Sequence, residues 1–450
     1  MTDAAMTDSA LDIAADLVAR ARRAGGDSAD ALYVEGTSLS HARRLGHTEK
    51  LERAEGRDIG LRVFVGRRQA MVSSSDTSPA ALAELVERAI AMARLVPEDS
   101  FAGLAAPNEI ARTFPELDID DAAEPGLDVL VERARTCEDA ARAISGITNS
   151  EGAEAGWSRS RVALAASNGF AGSYATARHA LGVSVIAGAG LEMQRDWEYT
   201  SAIHGRDLEN AAEIGARAGQ RAVARLGARK AKSARVPVVY DPRVANSLVR
   251  HLAGAVNGAA IARGTSFLKD KLGAQVMAPG LTIIDDPHRP RGLASRPFDG
   301  EGILATRRRV VDAGLLTTWF LDCRSARQLG MKTTGHASRG TSSAPSPSAS
   351  NLYLDAGAES PAALMADIAS GLYVTELIGM GVNLLTGDYS RGAAGFWIER
   401  GERAYPVNEI TIAGNLKDMF LAMRAADDLV FRHGTDAPTL RVDGMTVAGA

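Results

Sequence analysis

The chain has 450 residues, 46% apolar and 24% charged, with a formal net charge of −4; that is long enough for two or three domains and a large core, and globular in composition. The acidic balance leaves no overall footprint for nucleic acid, no run approaches the roughly 18 apolar residues of a membrane span, and the acidic start MTDAAMTDSALDIAADL does not read as a secretory leader. Two cysteines, Cys137 and Cys323, supply neither a disulfide framework nor a multi-thiolate zinc site, so a reducing cytoplasm is expected.

Residues 1–7 are expected as a frayed tail. Asp8 or Ser9 is placed to cap a helix running to about Ala24, with Gly25-Gly26 as its stop. Ala31 to Val34 reads as a short strand, and a charged stretch from Arg43 to Arg53 follows it. Ile59, Leu61, Val63 and Val65 alternate with smaller or polar residues, which predicts a half-buried strand over 58–65. Gly66-Arg67-Arg68 turns it back into Gln69 to Ser74. Ser78-Pro79 opens a helix that places Leu82, Leu85, Val86, Ala89, Ile90 and Ala93 on one face. After a Pro-punctuated connector over 98–118, a helix runs from Asp128 to Ile144 with Cys137 as a small buried hydrophobe. Asn168-Gly169 between Ser158–Ser167 and Phe170 is a hairpin signal. Leu181 to Ile186 and Met193 to Ala202 extend that sheet, and Asp207 to Leu226 is a helix. The basic strip Arg229 to Arg235 has no aromatics and reads as a solvated linker.

Val236 to Tyr240 is a strand. Asp241-Pro242 then starts a helix through Leu248, Val249, Leu252 and Val256. Leu281 to Asp285 is a strand, Arg309–Val311 and Leu315–Phe320 form a hairpin around Asp312-Ala313-Gly314, and Leu321 to Leu329 is a short helix. Residues 338–350 are low in complexity and expected as a mobile loop or a lid. Leu440 to Val447 is a closing strand. These elements predict an α+β fold with mixed or antiparallel sheets and packed helices. The expected division is an N-terminal α+β domain over 1–105, a central helix-plus-hairpin domain over 106–228 and a β-rich C-terminal domain over 229–450.

The densest polar region lies between Gly371 and Lys417. A strand-like run, Leu372 to Leu377, leads into Gly379 and Gly381, which let backbone approach closely. Asn383 and the knot Thr386-Gly387-Asp388-Tyr389-Ser390-Arg391-Gly392 follow. A second strand then contains Phe396-Trp397-Ile398, turns at Arg400-Gly401, and returns as Tyr405 to Ile412. Asn415 is placed to cap a helix through Leu429. Two readings stand: a turn in which Asp388 pairs with Arg391 and Asn383 closes the loop, or a loop carrying a site.

Catalytic signatures are scarce. No two of the eight histidines, His41, His47, His179, His204, His251, His288, His336 and His433, lie three to five residues apart, so the helical zinc pair with its glutamate base is missing. Ser342, Ser343 and Ser346 near His336 lack a nucleophile elbow. Cys323 with His336 has no flanking thiol-peptidase signature. Asp285, Asp286, Asp299 and Glu301 offer oxygen atoms, but read more simply as loop carboxylates and caps.

The run Thr386-Gly387-Asp388-Tyr389-Ser390-Arg391-Gly392-Ala393-Ala394-Gly395-Phe396-Trp397, with Thr375-Glu376-Leu377, Gly381-Val382-Asn383 and Glu409 to Asp418, resembles the TldD/PmbA metallopeptidase family. Within that family it is similar to the PmbA (TldE) branch. Gly292-Leu293-Ala294-Ser295, Pro297-Phe298-Asp299 and Thr334-Gly335-His336-Ala337 extend the resemblance, which is strong after Val236 and weak before Ala155. The TldD branch carries HExxxHG on a helix that the resemblance places at Leu248 to Gly258. There the first histidine position is Arg250, the glutamate position His251 and the second histidine position Ala255. A cysteine ligand of that branch falls near His433-Gly434. The resemblance therefore implies a chain with no zinc of its own, paired with a TldD-like zinc-bearing subunit that cuts unfolded or modified peptides in the cytoplasm. Gly379, Gly381, Asn383, Asp388 and Arg391 become candidates for a substrate or partner interface. A two-histidine metal site on His251 and His433, in a stand-alone peptidase, is one rival; a non-enzymatic homodimer that binds peptides is the other.

Overall fold

The computed structural model describes residues 3–449. The fold is α+β, built from one large antiparallel sheet in the first half and two smaller mixed sheets in the second. The first half comprises α1 (Asp3–Arg23), β1 (Ser28–Arg44), β2 (His47–Val65), β3 (Arg68–Ser74), α2 (Pro79–Leu95), α3 (Leu127–Arg142), β4 (Ile147–Ala166), β5 (Ala171–Ala187), β6 (Gln194–Ala202) and α4 (Ala211–Ala224). Its strands form one sheet in the order β3-β2-β1-β4-β5-β6, antiparallel throughout. α1 and α2 bury Leu17, Leu85 and Ile90 against Ile59, Leu61 and Val63. α3 and α4 bury Leu130, Cys137, Ile214 and Ala218 against Trp157, Leu181 and Val185. The pairing of β1 with β4, from Asp30 opposite Ala166 to Arg43 opposite Ala153, carries the sheet across residue 105 without a break.

The second half contains β7 (Ala234–Tyr240), α5 (Pro242–Ala255), α6 (Gly258–Ala262), β8 (Ile283–Asp286), β9 (Arg308–Asp312), β10 (Leu315–Leu316), α7 (Cys323–Gln328), β11 (Ala337–Ser338), β12 (Ser346–Pro347), β13 (Asn351–Leu354), α8 (Pro361–Met365), β14 (Ser370–Val382), β15 (Asp388–Glu399), β16 (Glu402–Asn415), α9 (Leu416–Leu421), β17 (Met423–Ala425), β18 (Thr435–Asp436) and β19 (Leu440–Ala448). One sheet runs β16-β15-β14-β7-β19-β17, and β16 pairs again with β19, closing it on itself. A second sheet runs β10-β9-β8-β13-β18. Between them lies a core that includes Tyr240, Leu248, Leu252, Phe320, Leu352, Tyr389 and Leu440. α5 starts where expected: the Asp241 carboxylate accepts the Arg243 N–H, and Pro242 sits in the first turn.

Several boundaries differ from expectation. The frayed tail of residues 1–7 falls partly on residues 1 and 2, outside the described residues; from Asp3 the backbone is already helical, ahead of the Asp8 or Ser9 cap. The first strand is not Ala31–Val34 but 17 residues long, and the second starts at His47 rather than 58. The outer part of β2 is exposed and charged, so it carries no apolar alternation to be read. The helix expected from Asn415 to Leu429 has six residues, Leu416–Leu421. Its apolar continuation is the edge strand β17, captured by β19 with Met423 opposite Val442. The helix expected over 207–226 starts only at Ala211, capped by Asn210.

The 338–350 segment is neither a free loop nor a lid. β11 and β12 pair Ala337 with Pro347 and Ser338 with Ser346. Between them Arg339, whose side chain is fully buried, reaches Asp30 of β1 at 2.6 Å, and the Thr341 hydroxyl donates to Asp58 of β2. The segment is a strap clamped to the large sheet.

Among the described residues no helix is long and apolar enough to cross a membrane.

Candidate functional site

The β14–β15 hairpin resolves the polar knot into local roles. Asn383 Oδ1 accepts from the N–H groups of Leu385 (2.9 Å) and Thr386 (3.3 Å), closing the turn. Asp388 takes the Thr386 hydroxyl at 2.6 Å and the Asn415 amide at 3.2 Å. The pairing of Asp388 with Arg391 does not form: residues three apart on a strand face opposite sides, and Arg391 instead donates Nε to the Ile378 carbonyl at 3.3 Å. Gly381 is required by close approach, since a Cβ there would stand 2.1 Å from the Ser390 carbonyl oxygen. Gly379 has φ +79 with open space around it, in the register irregularity between Ile378 and Gly381. The hairpin end exposes Ile378 (59%), Met380 (85%) and Leu385 (55%).

Arg391 is nearly buried, and its charge reaches His251 of α5. The His251 ring meets Tyr389 edge-on, with centroids 5.9 Å apart. Burial, with the Arg391 and Arg250 charges behind it, holds the His251 imidazole down to about 4. Its Nε2 is buried without a partner. On the same helix Arg250 is exposed, while Ala255 is wholly buried in the core.

His433 lies in the loop before β18. Its Nδ1 is 2.6 Å from the Tyr199 hydroxyl of β6, and its backbone N–H, like that of Arg432, donates to Asp436 Oδ1. Burial, then Arg250 and Arg432, hold this imidazole down to about 4 as well. β6 is fixed against α5 by Asp196, which takes both Nη atoms of Arg243 at 2.6 and 3.1 Å. Two cavities flank His433. One, of about 330 Å³, is walled by Trp197, Glu198, Tyr373 and Asp428; the other, of about 200 Å³, by Ser201, Arg289, Leu293 and Phe431. A further cavity of about 680 Å³ lies on the large sheet around Thr37, Arg57 and Trp157 and shares none of these residues.

The zinc-motif positions do not fit a zinc ion. A guanidinium, one imidazole and a methyl group replace two imidazoles and a carboxylate. A tetrahedral site needs three or four donors, and His433 already spends Nδ1 on Tyr199. Among the described residues no group of three or more His, Cys, Asp or Glu stands close enough to hold a metal ion.

The other sequence candidates are structural. His336 is fully buried, with its nitrogens at 2.9 Å from Thr334 Oγ1 and 3.1 Å from Asp285 Oδ2. Asp285 also takes the Ser350 hydroxyl and N–H, so His336 is not available to Cys323 or to Ser342, Ser343 or Ser346. The Cys323 thiol is pushed far up by burial and by Glu301, the reverse of an activated nucleophile. Asp299 accepts three backbone N–H groups, from Glu301, Ile303 and Ala337, and Glu301 accepts that of Cys323. Asp286 takes the His288 N–H at 3.2 Å. Sequence reasoning passed over Tyr199, Ser201, Arg289 and Asp436. The Pro-flanked charged run from Asp285 to Arg291 was the signal available for Arg289; Tyr199 and Ser201 lie in an ordinary-looking strand.

Residues 29–93 match domain 1, residues 120–226 the central domain and residues 233–449 the C-terminal domain of the PmbA/TldA metallopeptidases. The chain is similar to the metalloprotease PmbA of Escherichia coli O157:H7, 38% identical over 94% of this chain and 92% of the relative. A solved Bacteroides thetaiotaomicron protein, described as a candidate modulator of DNA gyrase, superposes with a TM-score of 0.90 at 27% identity, over 98% of each chain. TldE from Thermococcus kodakarensis shares the fold with a TM-score of 0.87 at 20% identity, over 96% of this chain and 99% of that one. The chain belongs to the PmbA/TldD metallopeptidase family, on its PmbA/TldE side.

Proposed function

We propose that this chain is the non-zinc subunit of a two-component TldD/TldE-type metallopeptidase. On this reading it works in the cytoplasm beside a TldD-like subunit that supplies the zinc, and together they degrade or process unfolded or modified peptides. The chain needs no cofactor of its own. The observation that supports this most is the donor set on α5 and its neighbour: Arg250, His251 and Ala255 with His433 amount to two low-pKa imidazoles in place of the histidine pair and glutamate of a zinc motif. The apolar end of the β14–β15 hairpin, Ile378, Met380 and Leu385, supports a role for Gly379 to Gly392 in an interface. Arg391, close under that hairpin, is the residue assigned to hold a peptide or the partner.

The test is cleavage of an unfolded protein by this chain alone, by its TldD-like partner alone and by the mixture, with zinc measured on each. Activity confined to mixtures containing the partner, with zinc on the partner only, is expected. Activity with stoichiometric zinc in this chain alone would overturn the reading and return attention to His251 and His433. Loss of complex formation or of cleavage in Arg391→Ala is expected; unchanged behaviour removes Arg391 from the role. A non-enzymatic, peptide-binding homodimer is the second reading, because the same apolar hairpin end would serve a second copy. Co-purification with a histidine-bearing paralogue separates the two.

A further inference from the structure

The 200 Å³ cavity beside His433 brings together groups that the fold leaves without partners. Arg289 stacks its guanidinium on Phe431, 3.2 Å from the ring centroid. Among the described residues no carboxylate stands within ion-pair distance of it, although Asp436 and Asp286 attract it from further off. Asp436 is 7% exposed; its Oδ1 takes the Arg432 and His433 N–H groups, while its Oδ2 takes no hydrogen bond. The Ser201 hydroxyl is buried without a partner. Ile203, Leu293 and Phe431 supply apolar wall.

A cation, a carboxylate oxygen that takes no hydrogen bond and an orphan hydroxyl around one small space suit a ligand with complementary groups; the buried Ser201 hydroxyl is the one costly to leave unmatched. The cation calls for an anion, and a planar guanidinium matches a carboxylate in two parallel hydrogen bonds. The free Asp436 oxygen calls for an N–H. At about 30 Å³ of liquid volume per water, the cavity holds the end of a chain rather than a whole ligand. From this we infer that the cavity binds the carboxyl-terminal residue of a peptide, its carboxylate on Arg289 and Ser201 and its amide N–H on Asp436, with a small apolar side chain against Ile203 and Leu293. The inference rests on the peptide-substrate reading for its ligand class. It places a terminus-holding site at Arg289 of this chain, separate from the hairpin interface to which Arg391 is assigned.

The test is calorimetric binding to the intact chain of N-acetyl-trialanine with a free carboxyl terminus, of the same peptide as its carboxyl amide, and of inorganic phosphate. The free acid is expected to bind at least about tenfold more tightly than the amide, as loss of one charged hydrogen-bonded contact implies, and phosphate much more weakly. Arg289→Gln is expected to abolish the preference for the acid while the chain stays folded, losing only the stacking on Phe431, since Arg289 holds no ion pair. Asp436→Asn, which keeps an acceptor oxygen, is expected to retain it. Equal binding of acid and amide, no binding of either, phosphate binding as tightly as the acid, or an undiminished preference in Arg289→Gln would each overturn the site. None of these outcomes touches the pairing with a zinc-bearing subunit, which the cleavage mixtures test separately.

Discussion

The strap between the two halves of the molecule hangs on one missing Cβ. Gly60 of β2 lies under Thr341, and a Cβ built there would stand 1.9 Å from the Thr341 carbonyl oxygen and 2.7 Å from its Cα. Ordinary contact begins at 3.4 Å, so Gly60→Ala forces the strap outward by roughly 1.5 Å. That movement stretches the buried Arg339–Asp30 contact, 2.6 Å in the parent, to about 4 Å, beyond hydrogen-bonding range. Overpacking costs about 1–3 kcal/mol, and parting a buried ion pair about 3–5 kcal/mol when one charge is stranded. Asp30 keeps Arg62 and Arg339 can escape to water, so the net loss falls near 3 kcal/mol, or about a hundredfold in the local opening equilibrium. Hydrogen exchange read by mass spectrometry reports this directly. Peptides spanning 337–349 should exchange about a hundredfold faster in Gly60→Ala, while the β4–β5 hairpin keeps its protection. Unchanged exchange over 337–349 would refute both the clamp and the reason given for Gly60.

Asp30→Ala strands Arg339 in the interior, at a side-chain exposure of 0%, and leaves Arg62 only Glu301 at 3.9 Å; it should lower stability by about 3–5 kcal/mol, read as a fall in the urea midpoint, and a midpoint matching the parent would show that the cluster is wet. Cys323 should resist iodoacetamide in the native protein and react only on unfolding, because burial and Glu301 push its thiol up. His251 and His433 titrate near 4 in the fold and near 6.5 in the unfolded chain, so the unfolded state binds protons that the native state refuses. Their contribution is whole above about 6.5 and is lost as pH falls toward 4. The double variant His251→Asn/His433→Asn should therefore lose less of its urea midpoint between pH values of about 7 and about 5 than the parent does; an equal loss would place the acid sensitivity elsewhere.

Local chemistry by itself determined much of this protein. Ser78-Pro79 and Asp241-Pro242 start helices because a cap and a fixed φ act within a few residues. Asn168-Gly169 and Arg400-Gly401 turn hairpins because each supplies a glycine that takes positive φ cheaply, Gly169 at 92° and Gly401 at 81°. That α5 carries a single histidine is likewise read straight from its residues, with Arg250, His251 and Ala255 at the positions that the resemblance gives to the zinc motif. What only the tertiary structure decided depends on partners far away in the chain. The long outer strands of β1 and β2 hold together by pairing with each other and with β4, and no apolar alternation announces that. Met423 to Ala425 follows directly on a helix but becomes strand because β19 offers an open edge. The strap looks like disorder by composition and is ordered by one buried arginine and one glycine in another sheet. The cavity at Arg289 draws Ser201 from β6, Leu293 from a loop and Asp436 from β18. Propensity and capping are short-range and survive in a linear reading, whereas burial, ion pairing and cavity formation depend on which distant surfaces meet.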